Sequence, residues 1–136
     1  MIYLDTGAFV ARYVSRDQHH RRARTAWKTL SQLSWRCYTS NFVLDKTFTL
    51  LARRTSYPFA AQRARSILTS TALEILRPAR EDEMAALDLF EKFADQEVSF
   101  TDCISFVLMR KHQIKRVFSF DRHFRHVGFI LWPEGL

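Results

Sequence analysis

The chain has 136 residues, 47% hydrophobic and 26% charged, a composition that excludes disordered, collagen-like and coiled-coil classes. Its 21 Lys and Arg against 14 Asp and Glu give a formal charge of +7 and a pI near 9.9, which favours polyanionic partners such as nucleic acid or an acidic protein. The length suits one compact domain over residues 1–136, and the two distant cysteines, Cys37 and Cys103, form neither a disulfide framework nor a metal knuckle, so a cytoplasmic setting is expected.

MIYLD meets a charge after four residues and no run approaches the roughly 18 apolar residues of a membrane helix, so neither export nor a membrane span is expected. Ile2 to Leu4 reads as a strand ending at Asp5, and Thr6-Gly7 as the turn that opens a helix in AFVARYV. In DQHHRRARTAWKTLSQL the residues Ala23, Ala26, Trp27, Leu30 and Leu33 recur at helical spacing with basic residues opposite, and Asp17 is the expected cap. WRCYTSN is a strand, followed by Asn41 as cap of FVLDKTFTLLARR, whose apolar residues are numerous enough to predict a largely buried helix. Pro58 sits in the first turn of the helix PFAAQRARSILTS, a position proline tolerates, and Leu73 to Leu76 forms a third strand. REDEMAALDLFEKFAD is acidic at its start and carries Met84, Leu87, Phe90 and Phe93 as its apolar stripe. SFTDCISFVLMRKH is a further helix, and KRVFSF and GFILW are two more strands around DRHFRHV. No repeat or linker divides the chain.

Strands alternating with helices predict an α/β fold, a three-layer sandwich whose central, mainly parallel sheet is flanked by helices. Function in such sheets gathers beyond the carboxyl ends of the strands, where strand order reverses. Four acids deserve weighing there. Asp5 ends the first strand, Asp121 directly follows Val117 to Phe120, Asp102 opens the helix that feeds that strand, and Asp45 lies one turn inside an apolar helix. Read singly, each has an ordinary use: Asp5 and Asp102 as helix caps, Asp121 as a turn residue. Asp45 has the weakest ordinary use, because an unpaired carboxylate among apolar neighbours is costly. Jointly, four carboxylates on one rim call for a hard divalent cation, which prefers oxygen ligands and promotes phosphodiester hydrolysis. The basic exterior would hold a nucleic-acid backbone over it. Thr6 and Thr101 flank these acids, either as N-caps or as hydroxyls that orient a carboxylate or a water.

LDT at Asp5, the helix carrying Asp45, SFTDCISFVLMRK with Asp102 and VFSFDRHFRHVGF with Asp121 together resemble the PIN domain, especially the small VapC-type toxins and their stand-alone relatives. The resemblance spans nearly the whole chain, in the family's order. It implies a Mg²⁺- or Mn²⁺-dependent ribonuclease that cleaves RNA, often a homodimer, with an antitoxin protein occupying the active-site groove of toxin members. It also implies Asp5, Asp45, Asp102 and Asp121 as metal ligands. The family's second acid is usually Glu, and Asp45 is one methylene shorter: either its helix sits closer, or a water bridges it to the metal, or catalysis is weakened. The rival reading keeps the fold without metal-dependent cleavage, as an RNA-binding module.

Other features are weaker. His123 and His126 lack a third ligand at suggestive spacing, so phosphate contact or plain surface is expected of them. His19, His20, Arg12, Arg16, Arg21, Arg22, Arg24 and Lys28 form a basic face that either guides RNA or is merely solvated. Trp27 and Trp35 are expected to pack in the core rather than stack bases, and Cys103 to be a small buried filler. A receiver domain would need adjacent acids after the first strand, a haloacid-dehalogenase-like phosphatase a second Asp where Gly7 stands, and a P-loop enzyme a glycine-rich segment that three glycines cannot build.

Overall fold

The computed structural model describes residues 1–134; Gly135 and Leu136, the last two residues of the expected 1–136 domain, lie outside the described part. Among the described residues five strands alternate with seven helices: β1 (Ile2–Leu4), α1 (Thr6–Tyr13), α2 (His20–Gln32), β2 (Cys37–Ser40), α3 (Asn41–Arg54), α4 (Tyr57–Leu68), β3 (Leu73–Leu76), α5 (Arg80–Lys92), α6 (Phe100–Lys111), β4 (Arg116–Phe118), α7 (His123–His126) and β5 (Ile130–Trp132). A 3₁₀ turn over Ala94–Gln96 joins α5 to α6. All strand pairs are parallel, in the order β3-β2-β1-β4-β5.

The chain lays down β1, β2 and β3 in one direction and then returns past β1 to add β4 and β5. Right-handed crossovers send the helices of the outward and returning halves to opposite faces of the sheet. Side chains on the central strands match this. Leu4 and Phe118 are register partners on one face, where Phe118 meets Trp27 of α2 at 5.3 Å between ring centroids. Tyr3 and Val117 are partners on the other face, where the buried Tyr3 hydroxyl lies 2.8 Å from the Ser105 hydroxyl of α6. Phe106 of α6 then packs edge-on to Phe124 of α7, extending the second layer. Gly128, with φ +101, supplies the left-handed turn that carries α7 into β5.

Four local expectations are corrected. Ser40, not Asn41, caps α3: its hydroxyl accepts from the Val43 amide at 3.1 Å, and Asn41 is already helical. Asp17 ties the turn before α2 by accepting from the His19 amide, and His19 holds the cap position. The α3 helix is amphipathic rather than largely buried, with Val43, Leu44, Thr47 and Leu51 inward while Phe42, Phe48 and Leu50 are only half-buried. On α5 the predicted stripe is also rotated. Met84, Leu87 and Phe90 are exposed, and Asp82 and Ala86 face inward, because Asp82 caps the helix from its own third position and binds Lys111 of α6 at 2.9 Å. No helix among the described residues is long and apolar enough to cross a membrane.

Candidate functional site

Strand order reverses between β1 and β4, so the two strands point their carboxyl ends into one crevice. β4 ends at Phe118, which leaves Ser119, Phe120 and Asp121 outside the ladder and free to turn over the sheet edge. The Asp5 amide still donates to the Phe118 carbonyl at 3.1 Å, so Asp5 and Ser119 emerge side by side. The buried Ser119 hydroxyl donates to Asp5 Oδ2 at 2.7 Å and accepts from the Asp121 amide at 3.0 Å. One hydroxyl thereby fixes two acids whose strands the chain makes at opposite ends of its length. Sequence reasoning missed Ser119 because VFSF reads as uninterrupted strand; its only signal is the spacing of a hydroxyl two residues before Asp121.

Asp102 enters from α6. Its amide donates to the Ser99 hydroxyl at 3.1 Å, so Ser99 caps this helix and the Asp102 carboxylate is left for other work. Asp5 likewise occupies the cap position of α1, but its side chain makes no capping bond. Asp121 does serve a turn, accepting from the His123 amide at 2.9 Å. His123 Nδ1 lies 2.9 Å from the same carboxylate oxygen in a geometry that makes no hydrogen bond. Ligand atoms of Asp102, Asp121 and His123 all fall within 4.8 Å of one another, a third partner for His123 that its sequence spacing concealed.

The three acids border a cleft of about 610 Å³. Asp5, Thr6, Asp102 and Asp121 line it; Thr101, half-buried on α6, does not. Asp45 is the main correction. It is exposed and lies off the cleft, and α3 instead contributes Lys46, Leu50 and Arg54, spaced four apart and hence stacked on one face of the helix. Asp45 is about 100° around the helix from that row. Arg54 leans across to Asp17 at 3.4 Å, and Arg16 donates to the Arg54 carbonyl at 2.9 Å, closing the rim. His19, predicted to sit on a solvated face, stacks on Phe120 with 4.4 Å between centroids and 4° between planes, while the Arg22 guanidinium sits 5.4 Å from the same ring. Trp27 packs in the interior as expected, its indole N–H donating to the Ala8 carbonyl, and Trp35 packs against Trp132.

The electrostatics are those of crowded, partly dry acids. Burial first, and then the charges of Asp5 and Asp121, push the Asp102 carboxyl up to about 8. Burial also raises Asp5, a rise that Asp121 reinforces and the Ser119 hydroxyl and Lys46 oppose. Beside Asp102, burial lifts the Cys103 thiol to about 11, so it is an inert filler. Carboxylates held in such an arrangement lack positive charge. The Thr6 hydroxyl, buried at the base of the cleft, also has no hydrogen-bond partner. Three carboxylates, with the His123 imidazole beside two of them and an idle hydroxyl nearby, make an oxygen-rich donor set that fits a hard, hydrated divalent cation, which Asp5, Asp102 and Asp121 could hold.

The PIN domain family model matches residues 2–130. The 23S rRNA-specific endonuclease VapC20 of Mycobacterium tuberculosis is 33% identical over 130 residues, covering 96% of each chain. A VapC ribonuclease of Archaeoglobus fulgidus is 30% identical over 123 residues, 89% of this chain and 77% of the relative. The crystal structure of M. tuberculosis VapC20, described as a sarcin-ricin loop cleaving toxin, superposes with a TM-score of 0.86 at 32% identity, covering 96% of this chain and 97% of that one. At 15% identity, VapBC2 of Rickettsia felis bound to a promoter DNA fragment shares the fold, with a TM-score of 0.64 over 96% of this chain and 97% of that one.

Proposed function

The chain belongs to the PIN-domain family, among its VapC-type members, and from that membership we propose that it is a divalent-metal-dependent endoribonuclease acting as the toxin of a toxin–antitoxin pair. The observation that carries the chemistry is the convergence of Asp5, Asp102 and Asp121 on one cleft at the point where strand order reverses. Asp5, Asp102 and Asp121 would hold Mg²⁺ or Mn²⁺. When bound, such an ion supplies a Lewis acid that polarises a phosphodiester and makes water acidic enough to attack it at neutral pH. The remaining steps fall to the chain. Ser119 keeps the Asp5 and Asp121 carboxylates in register. The Thr6 hydroxyl is free to orient a water, and Lys46, Arg54 and Arg122 offer positive charge to the RNA backbone along the cleft. This reading gives Thr101 and Asp45 no part in the chemistry, because neither lines the cleft.

The same reading takes residues 1–136 as one domain in the cytoplasm, assembled as a homodimer and silenced by an antitoxin segment laid in the basic-rimmed cleft. Its substrate class is ribosomal RNA, by likeness to a relative named for cutting 23S rRNA. The test is incubation of intact ribosomes, 23S rRNA and unstructured RNAs with the purified protein and Mn²⁺, Mg²⁺ or chelator, beside Asp5→Asn. Metal-dependent cutting that Asp5→Asn abolishes without changing the circular dichroism spectrum is the expected result. Undiminished cutting by the variant, or RNA binding with no cleavage under any metal, overturns it in favour of a binding module. Growth arrest on expression without the antitoxin checks the toxin role, and light scattering checks the dimer.

A further inference from the structure

The cleft contains a cation that belongs to the chain itself. Lys46 stands on the cleft-facing row of α3, opposite the acids that descend from β1, α6 and β4. Its charge bears on both Asp5 and Asp102, drawing each carboxyl back toward ionisation against the effect of burial. Yet Lys46 forms no ion pair within 4.0 Å among the described residues, whereas Arg54, further along the same row, is engaged by Asp17. Arg122 also lines the cleft, on the turn after β4, but Lys46 and not Arg122 is the cation whose charge bears on Asp5 and Asp102.

The charge balance of such a site follows directly. Asp5, Asp102 and Asp121, once ionised, carry three negative charges, and Lys46 returns one positive charge. A single divalent ion brings the group to neutrality, and a second would leave a partly buried cluster with two surplus positive charges, which a low-dielectric cleft resists. We propose that Lys46 is a fixed counter-cation that takes the place of a second metal ion and limits this centre to one divalent ion per chain. The proposal rests on the reading of the cleft as a metal site and specifies its stoichiometry. Lys46 acts here as a positioning residue, setting the charge that the carboxylates present.

The experiment is calorimetric titration of the metal-stripped full chain with Mn²⁺ alone, in the absence of RNA, for the wild type and for Lys46→Arg, Lys46→Gln and Lys46→Glu. Lys46 is exposed, so each variant is expected to fold, and circular dichroism verifies it. The wild type and Lys46→Arg should bind one ion with equal affinity. Lys46→Gln should bind that ion about tenfold more tightly, the order of effect of one unit charge removed across such a cleft, and Lys46→Glu should bind two. Two ions in the wild type, or Gln and Glu variants that match it in both affinity and number, overturn the role of Lys46 while leaving the metal centre standing. Failure of every folded form to bind Mn²⁺ overturns the metal centre and this inference together.

Discussion

Ser119→Ala tests whether the acids are held by design of the sheet edge. The hydroxyl is 4% exposed, donates to a carboxylate at 2.7 Å and accepts from a backbone amide at 3.0 Å. A hydrogen bond to a charged group is worth roughly 1.5–3 kcal/mol, and leaving a buried amide without an acceptor costs about 1–3 kcal/mol more where water cannot replace it. Because the cleft is open enough for water to reach Asp121, the smaller ends of those ranges apply, and the expected loss in the metal-free protein is about 2–3 kcal/mol by urea unfolding at pH 8. The loss should shrink as pH falls, because burial raises the Asp5 carboxyl, which is neutralised earlier than an ordinary Asp and then depends less on the hydroxyl. Freed from its anchor, Asp5 should also bind Mn²⁺ about 10–100-fold more weakly, the usual effect of removing a hydrogen bond that orients a ligand. Stability within 0.5 kcal/mol of the wild type at pH 8, together with unchanged Mn²⁺ affinity, would refute the reasoning; the order-of-magnitude threshold is that of an ordinary surface substitution.

Two further outcomes follow from the same geometry. The Asp102 carboxyl is raised from the ordinary range to about 8 in the fold, so the native state binds the extra proton. Its contribution to stability is therefore complete below the unfolded pKa near 4 and is lost as pH rises through about 8. The metal-free protein should accordingly unfold more easily at pH 8.5 than at pH 5.5 in urea, with a slope of up to about 1.4 kcal/mol per pH unit per proton, and Asp102→Asn should flatten that decline while abolishing cleavage. Asp45→Ala removes an exposed side chain that lies off the cleft, so cleavage assayed on RNA should stay within about twofold of wild type and stability within about 0.5 kcal/mol.

Much of this architecture was legible because a strand that stops at an acid marks the sheet edge. Ile2 to Leu4 followed by Asp5, and an apolar helix opened by SFTD, carry that boundary in their hydrophobic pattern, and the α/β alternation supplies the direction of every strand. The phase of α3 was not legible. Apolar residues occur at nearly every angle around FVLDKTFTLL, so composition predicts burial all round and cannot say which of two adjacent charged residues, Asp45 or Lys46, turns toward the sheet edge. Contact with α4 and the crevice decides it, and the result exchanges an expected acid for a base. On α5 the same ambiguity had a different cause. Asp82 satisfies the helix end and an ion pair with Lys111, so the helix rolls its polar residue inward and leaves Met84, Leu87 and Phe90 exposed. Ser119 was hidden because strand propensity continues past the last ladder bond, whereas the register with β1 ends at Phe118.

That register has a consequence for how the molecule comes into being. Of the five strands β1 is made before the others and lies in the middle of the sheet, with one flank covered by β2 and the other vacant until β4 arrives, more than a hundred residues later. Synthesis proceeds from the amino end, and pairings this distant in sequence form late. Every partial chain that ends before Ser119 lacks both the bond that anchors Asp5 and the acid at Asp121. A protein whose proposed substrate is the ribosomal RNA of the machine producing it thus has its cleft completed by strands of the sheet that follow β1 by more than a hundred residues, and a nascent chain abandoned midway lacks the full set of acids.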